Sequence, residues 1–376
     1  MRILCLTSRL PYPPDRGDRL RAYHILKTLA SEHELTLLSF VESSDQLDLV
    51  KALEGFCSTV RVVAKSRPAS ILTVLGNGWR RLPLQALYYH SRAMRDLVAH
   101  TLRERNFDAA YVHLFRMAPY LDRADAPYQI VDLTDMISDE IAASLRFRSV
   151  LSRIVYAIEK GRIERFEKSV ATDSDEIWLI SDRERQTLLD RCPSANVRVV
   201  ANGVDLNRFR PLGGEEDSLR IVLTGHMSVP HNVDAAVHLA RTVLPAVRRR
   251  VEGCQLRIVG ADPCPRVRRL GRLPGVEVTG FVPDLNLELN RAAAFVAPLR
   301  FAAGIQNKVL EAMAAARPVV TSPGVADGLG AVADRELLIG HSPDEFAALT
   351  TTLLGDQALR RRLGTVSYTH LTLPTN

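Results

Sequence analysis

The chain has 376 residues, 46% hydrophobic and 24% charged, with a formal net charge of +6. That length accommodates two domains with ordinary globular composition, and the five scattered cysteines (Cys5, Cys57, Cys192, Cys254, Cys264) form no CxxC, arguing against a disulfide framework or a zinc site and for a reducing cytoplasm. No run approaches the ~20 apolar residues of a spanning helix, Arg2 leads straight into a short strand rather than a signal peptide, and no zinc finger, RNP motif or aromatic–basic interleaving points to nucleic acid.

In chain order, Arg2–Ser8 reads as a buried strand, 11–18 as a rigid proline-rich loop, and Arg19–Ser31 as a helix with Leu20, Tyr23, Ile25, Leu26 and Leu29 inward. Strand, glycine loop and helix make a phosphate-capable arrangement. Glu34–Phe40 and Val60–Val63 are further strands. Residues 67–105 are helical and basic, with Trp79, Arg80 and Arg81 exposed at a break before Pro83. Phe107–His113 is a buried strand whose last residue, His113, falls at the carboxyl edge where open α/β sheets bind ligands, with Arg116 just beyond. His113 is either an active-site residue or a cap on the strand end. Tyr128–Leu133 is the next strand, closed at the same edge by Thr134 and Asp135. The helical segment Arg146–Lys168 carries Arg146, Arg148, Arg153, Lys160, Arg162, Arg165 and Lys168, with Leu151, Ile154, Val155 and Ile158 as a stripe. Either the stripe packs on the core under a solvated basic face, or the helix lies on an anionic membrane surface. Asp175–Ser181 is a strand, Ser181 caps a helix over Asp182–Leu189, and Val197–Ala201 precedes the Asn202-Gly203 turn.

Residues 202–218 form a linker, polar and glycine-rich over 211–217. The pattern then restarts: a strand at Leu219–Leu223, a loop at Gly225, a helix over Asn232–Arg250, strands at Gln255–Val259 and Val276–Thr279, and a short helix over Leu285–Arg291. Phe295–Leu299 is a strand and Gly304 breaks the chain. Val309, Leu310, Met313 and Ala316 recur at helical spacing until Arg317-Pro318, and Val319–Thr321 is a strand followed by a glycine turn. The helix N-terminus opening after Gly304 favours a phosphate at the sheet's carboxyl edge. Lys308 adds a cation, and Glu311, one turn on, a carboxylate within reach of sugar hydroxyls. The pattern suits a nucleotide diphosphate; the plain alternative is an ordinary βαβ crossover. The fold class is α/β: two doubly wound, Rossmann-like parallel sheets facing a cleft, over 1–205 and 206–365. Residues 366–376 resemble translated sequencing-adapter sequence and are read as a non-native tail on a truncated chain.

GIQNKVLEAMAAARPVV resembles the donor-binding signature of the family-4 retaining glycosyltransferases of the GT-B fold, and VRVVANGVDLNRFRP at 197–211 is similar to that family's interdomain signature. The resemblance implies an acceptor-binding first domain and a second domain for a nucleotide diphosphate sugar, which is a co-substrate; it implies no cofactor and no metal. It assigns donor contacts to Gly17, Gly225, Gly304, Ile305, Gln306, Asn307, Lys308 and Glu311, catalysis to His113, Lys308 and Glu311, and the acceptor side to Arg16, Arg19, Arg116 and Asp135; Arg300 joins the donor contacts as a cation for diphosphate charge that the family meets elsewhere. Asp132 and Asp135 are similar to an acidic pair of exosortase/PEP-CTERM-associated exopolysaccharide transferases; the alternative for Asp132, on the face opposite Leu133, is a structural role. That implies sugar transfer to a glycan or lipid-linked acceptor in exopolysaccharide assembly, in the cytoplasm or at the inner face of the cell membrane. Two departures stand out: His226, Ser228, His231 and Asn232 follow Gly225 where many relatives carry an arginine–lysine pair, and Ala303 replaces a glutamate. The rival readings are a nucleotide-sugar epimerase of the same fold and a non-catalytic nucleotide-sugar-binding protein.

Overall fold

A computed structural model describes residues 1–43, 46–122, 128–147, 150–214, 216–301 and 304–372. Arg148, Glu215, Ala303 and residues 373–376, all invoked above, lie outside the described residues, as does the side chain of Leu151. The chain divides into two units, Met1–Ala201 and Asn202–Asn376, so the boundary falls at 201 rather than 205.

The first unit is one parallel sheet of β1 (Arg2–Thr7), β2 (Glu34–Val41), β3 (Thr59–Ala64), β4 (Ala109–His113), β5 (Gln129–Thr134), β6 (Glu176–Leu179) and β7 (Val197–Val199), in the order β3-β2-β1-β4-β5-β6-β7. Its helices are α1 (Gly17–Leu29), α2 (Leu47–Glu54), α3 (Arg67–Asn77), α4 (Leu84–Tyr88), α5 (Arg92–Glu104), α6 (Ile137–Ser144), α7 (Val150–Asp173) and α8 (Asp182–Arg191). The near-continuous apolar runs of β1 and β2 are buried on both faces, and two separate hydrophobic clusters flank the sheet, as crossover helices on both sides require.

The second unit repeats the plan with β8 (Asp217–Thr224), β9 (Gln255–Val259), β10 (Val276–Gly280), β11 (Ala292–Ala297), β12 (Val319–Thr321) and β13 (Leu338–Ile339), in the order β10-β9-β8-β11-β12-β13. Its helices are α9 (Pro230–His238), α10 (Leu244–Arg248), α11 (Pro265–Arg268), α12 (Leu285–Asn290), α13 (Asn307–Ala314), α14 (Pro323–Leu329), α15 (Pro343–Gly355) and α16 (Gln357–Thr372). In each sheet the strand order reverses once. Thr7 lies opposite His113 where β1 meets β4, and Val222 opposite Phe295 where β8 meets β11. These are the topological switch points, where an open α/β sheet leaves room for a ligand.

Four elements differ from the sequence expectation. Residues after β12 form helix α14 rather than a glycine turn: Pro323 suits the first helical turn and Gly330, at φ 62, closes the helix in the left-handed region. The expected helix over Asn232–Arg250 is α9 and α10 joined by a π segment, Leu239–Val243, just before Pro245, which has no N–H for the ladder. Helix α16 runs on through 366–372, with Ser367 fully buried; a Cβ on Gly364 would lie 2.1 Å from the Ala316 carbonyl oxygen, so α16 packs tightly beside the end of α13. Finally, the stripe on α7 does not pack on the core. Val150, Ile154, Val155 and Ile158 are exposed, while Glu159 and Glu167 are buried. Glu159 accepts the Leu84 N–H at 2.6 Å. Glu167, pushed up to about 7 by burial, accepts from the N–H and Oγ of Ser138 at 3.1 and 2.6 Å.

The inward face of α1 carries a charge the sequence reading passed over. Arg21 Nε donates to Asp132 Oδ2 at 2.8 Å and Nη1 to the Val200 carbonyl at 2.8 Å. The Tyr111 hydroxyl donates to the same Oδ2 at 2.8 Å, and Oδ1 accepts the Thr134 N–H at 3.0 Å. Burial opposes ionisation of Asp132, yet His113 and the Arg21 guanidinium hold its carboxyl well below the usual range. One buried carboxylate thus ties α1, β4, β5 and, through Arg21, the chain after β7.

Removing one member of such a pair strands a buried charge, which costs about 3–5 kcal/mol. In urea unfolding, Asp132→Ala loses that amount, and the double variant Arg21→Met/Asp132→Leu regains much of it; a double variant as unstable as the single one contradicts this account.

Candidate active site

In the second unit the loops at the carboxyl edge meet because side chains are missing. Gly225 has φ 145 and Gly260 φ 150, both left-handed values that favour glycine. A Cβ on Gly260 would lie 1.8 Å from the Gly225 oxygen, so the loops after β8 and β9 are in backbone contact. A Cβ on Gly225 would lie 3.2 Å from Lys308 Cε and 2.8 Å from Asn232 Nδ2. The aliphatic stem of Lys308 therefore crosses the glycine loop and brings the start of α13 to the end of β8. Among the described residues no side chain caps α13, so this helix start is of the kind that suits an anion. Lys308 is buried and its Nζ donates to Gln306 Oε1 at 2.8 Å. Gly304, at φ 73, is packed under Gly328, whose Cβ would lie 2.5 Å from the Gly304 carbonyl carbon. Half-buried Ile305 continues the turn, and Asn307 Oδ1 accepts from Asn202 Nδ2 at 3.1 Å. Thr224 Oγ1 and Asn232 Oδ1 are buried with no hydrogen-bond partner among the described residues.

Glu311 is partly buried and its carboxylate makes no hydrogen bond within the described residues. Burial pushes it up to about 7, against the pull of Arg208 and Lys308. Arg300, read from the sequence as a diphosphate contact, is forked onto Asp234 of α9, with Nε to Oδ2 at 2.8 Å. His226 is likewise engaged, with Nε2 3.1 Å from Asp262 and Nδ1 2.9 Å from Ser228 Oγ. Two residues at this edge went unread: Arg208, inside the 197–211 signature and beside Glu311, and Phe281, 75% exposed after β10. An aromatic following Gly280, itself at φ 73, was the available signal for Phe281.

In the first unit the switch point gathers His113, Asp18, Arg9, Arg16 and Arg116. His113 is 2% exposed. Its Nδ1 lies 3.3 Å from the Tyr111 hydroxyl and 3.7 Å from Asp132 Oδ2, and its Nε2 is buried with no hydrogen-bond partner among the described residues. Leu114 (φ 72) and Thr134 (φ 68) place left-handed, strained backbone at the ends of β4 and β5. Arg116 Nε donates to Ser8 Oγ at 3.0 Å and Nη1 to Gln85 Oε1 at 3.2 Å, with Asp18 3.8 Å away. Against burial, Arg9, Arg116, His113 and Arg16 together lower Asp18 to about 2. Arg16 and Gly17 open α1, and Arg19 is turned to Asp15 at 3.1 Å. Asp135 stands apart from this group. Burial, Glu184 and Glu140 raise its carboxyl well above the usual range, and Glu184, pushed up to about 7 by burial, is bonded to it.

Residues 218–356, within the second unit, match the family described as "Glycosyl transferases group 1". No curated protein matches the chain in sequence. Among solved structures, it is similar to sucrose-phosphate synthase from Thermosynechococcus elongatus (14% identity, 99% of this chain and 94% of that one, TM-score 0.69). It is also similar to Anabaena HepE, solved with UDP and glucose (15%, 98% and 94%, TM-score 0.69). WaaG, a glycosyltransferase involved in lipopolysaccharide biosynthesis, is a third (14%, 99% and 95%, TM-score 0.64). At these identities the likeness establishes the fold: two Rossmann-like units of the GT-B type.

A hydroxyl donor prefers a carboxylate to a carboxylic acid, and a hydrogen bond to a charged group contributes about 1.5–3 kcal/mol. Glu311→Gln therefore weakens nucleotide diphosphate binding about tenfold or more. Because Glu311 must ionise to accept such bonds, wild-type affinity rises between pH 6 and 8 by a component that the Gln variant lacks. Titration calorimetry at both pH values checks this; indistinguishable wild-type and Gln affinities remove Glu311 from the site.

Proposed function

We propose that the protein is a retaining glycosyltransferase that moves a sugar from a nucleotide diphosphate sugar to a glycan or lipid-linked acceptor, in exopolysaccharide assembly. The observation that carries this reading is the second unit's switch point, where the Gly225 loop, the uncapped start of α13, Lys308 and an unbonded Glu311 converge inside the matched segment. The second unit takes the donor. The helix N–H groups and Lys308 stabilise charge developing on the departing diphosphate, and Glu311 accepts from the nucleoside ribose. With Arg300 held by Asp234, Lys308 is the principal cation for the diphosphate. No metal is needed for this chemistry, since helix and lysine supply the positive charge. The first unit takes the acceptor, and His113 serves the transferred sugar through its unbonded Nε2. In a front-face reaction the leaving phosphate helps deprotonate the acceptor hydroxyl. HepE, solved with UDP and glucose, supports a nucleotide-sugar ligand by analogy of fold.

A labelled nucleotide diphosphate sugar separates the readings. Transfer to an acceptor with retained anomeric configuration supports the proposal; an epimer, or donor bound and unchanged, overturns it. His113→Ala lowers turnover sharply while leaving nucleotide diphosphate affinity almost unchanged, whereas a matching fall in folding stability and activity makes His113 structural.

We also propose that the first unit works at the inner face of the cell membrane. No described helix is long and apolar enough to span one. The supporting observation is the exposed apolar stripe of α7, together with exposed Ile71, Leu72, Leu75 and Trp79 on and after α3. Exposed Arg80, Arg81, Arg146 and Arg153 accompany them. Apolar side chains flanked by cations suit an anionic interface, where each basic residue contributes about 1 kcal/mol. Vesicle flotation at low salt recovers the protein with anionic but not neutral lipid, and Ile154→Ser/Ile158→Ser reduces recovery; equal recovery with both lipids contradicts the proposal.

A further inference from the structure

The carboxyl ends of β1 to β4 carry Arg9, Glu42, Lys65 and Arg116, a group that the donor chemistry does not use. Backbone bonds hold the first three strand ends in register: Leu10 N–H to the Phe40 carbonyl at 3.1 Å, and Lys65 N–H to the Val41 carbonyl at 2.8 Å. Lys65 is 8% exposed, and its Nζ has no hydrogen-bond partner among the described residues. The ammonium lies 3.4 Å from the ring centroid of Tyr88 and 4.5 Å from that of Tyr89. Tyr89 is buried, its hydroxyl also lacks a hydrogen-bond partner, and the Arg116 guanidinium stands 4.9 Å from the same ring. Arg9 reaches Asp18 at 2.9 Å and Glu42 at 3.5 Å, and Arg67 takes Glu42 at 2.9 Å. Four cations, Arg9, Lys65, Arg67 and Arg116, thus share two carboxylates, Asp18 and Glu42.

Packing does not call for this arrangement. A buried ammonium with three unused donors carries a desolvation penalty that ring faces offset only in part, and a methionine would cover both rings as well. Burial and the neighbouring arginines lower Lys65 to about 8, against the pull of Glu42. Unpaired buried donors gathered at one sheet edge, beside an excess of positive charge, mark a place where an anion is missing. Asp18, 2.9 Å from Arg9 and 3.8 Å from Arg116, also lies in the field of His113.

We propose that Lys65, Arg9, Arg116 and the Tyr89 hydroxyl form an oxyanion pocket of the acceptor site, binding a phosphoryl or carboxylate group that the acceptor carries near the hydroxyl to be glycosylated. The pocket deepens the glycosyltransferase reading and rests on it for the word acceptor; the anion chemistry stands on the pocket alone. Lys65 supplies unused donors, and the two guanidiniums fix the charge around them. A neutral acceptor leaves the Lys65 ammonium without an anion.

The test uses the full chain with uridine diphosphate at saturation, so that the second unit's anion site is filled, and titrates inorganic phosphate, pyrophosphate and glucuronate by calorimetry. Phosphate or glucuronate binds, and Lys65→Met weakens that binding at least about tenfold while leaving uridine diphosphate affinity unchanged; which anion binds more tightly distinguishes a phosphoryl from a carboxylate acceptor. A second variant covers the case in which Lys65→Met fails to fold: Arg9→Gln weakens phosphate or glucuronate binding at least several-fold and leaves uridine diphosphate affinity unchanged. Equal anion affinity in wild type and in the folded variants overturns the pocket. Failure of uridine and guanosine diphosphates to bind at all strikes the glycosyltransferase reading instead, and leaves the anion result to be judged alone.

Discussion

Lys308 reaches the glycine loop because residue 225 has no Cβ. That absence sets the second unit's chemistry. A methyl group at 225 would press on Lys308 Cε and Asn232, and one at 260 would occupy the space of the Gly225 carbonyl. With both positions bare, the ends of β8 and β9 touch through their backbones, and α13 begins where the sheet order reverses. The helix dipole, the buried lysine and Glu311 all depend on that approach. Gly304 and Gly328 repeat the device on the other side of α13, so the short turn that opens the helix is held between backbones rather than between side chains.

The two units use the same topology for different electrostatics. The second brings together a helix start with no side-chain cap among the described residues, one buried lysine and a carboxyl raised by burial, a set that suits the proposed diphosphate and sugar hydroxyls. The first is built over the buried Arg21–Asp132 pair and presents arginines, a histidine and a lysine, the last two each with a nitrogen that has no hydrogen-bond partner among the described residues. That asymmetry supports the proposed assignment of donor and acceptor to different units. Arg300 is forked onto Asp234, so its charge is spent on fastening the segment after β11 to α9.

Much of this was legible in the sequence because it rests on local signals. Parallel strands buried on both faces read as apolar runs, Ser181 sits as the cap of α8 and accepts the Glu184 N–H, and His113 falls at the carboxyl edge by counting along β4. What was not legible depends on partners far away in the chain. Arg21 is buried because Asp132 stands 111 residues on, and Arg300 is occupied because of Asp234, 66 residues before it. Lys65 carries no signal of its own in the sequence, because the rings that meet it, Tyr88 and Tyr89, belong to another element. The stripe on α7 reads first as a core-packed face, since helical spacing gives a face but not what the face meets, and it is exposed. Helix α14 stands where a glycine turn was expected, with Pro323 in its first turn and Gly330 closing it.

The central claim is that the switch point of the second unit is the nucleotide diphosphate site. A crystal structure of the protein with a bound nucleotide diphosphate tests it most directly. The account predicts the diphosphate on the first N–H groups of α13, between Gly225 and Gly304 and beside Lys308, with the ribose hydroxyls on Glu311. A diphosphate seated instead at the Lys65–Arg116 edge of the first unit, with Lys308 still bonded to Gln306 and Glu311 still unbonded, would contradict it.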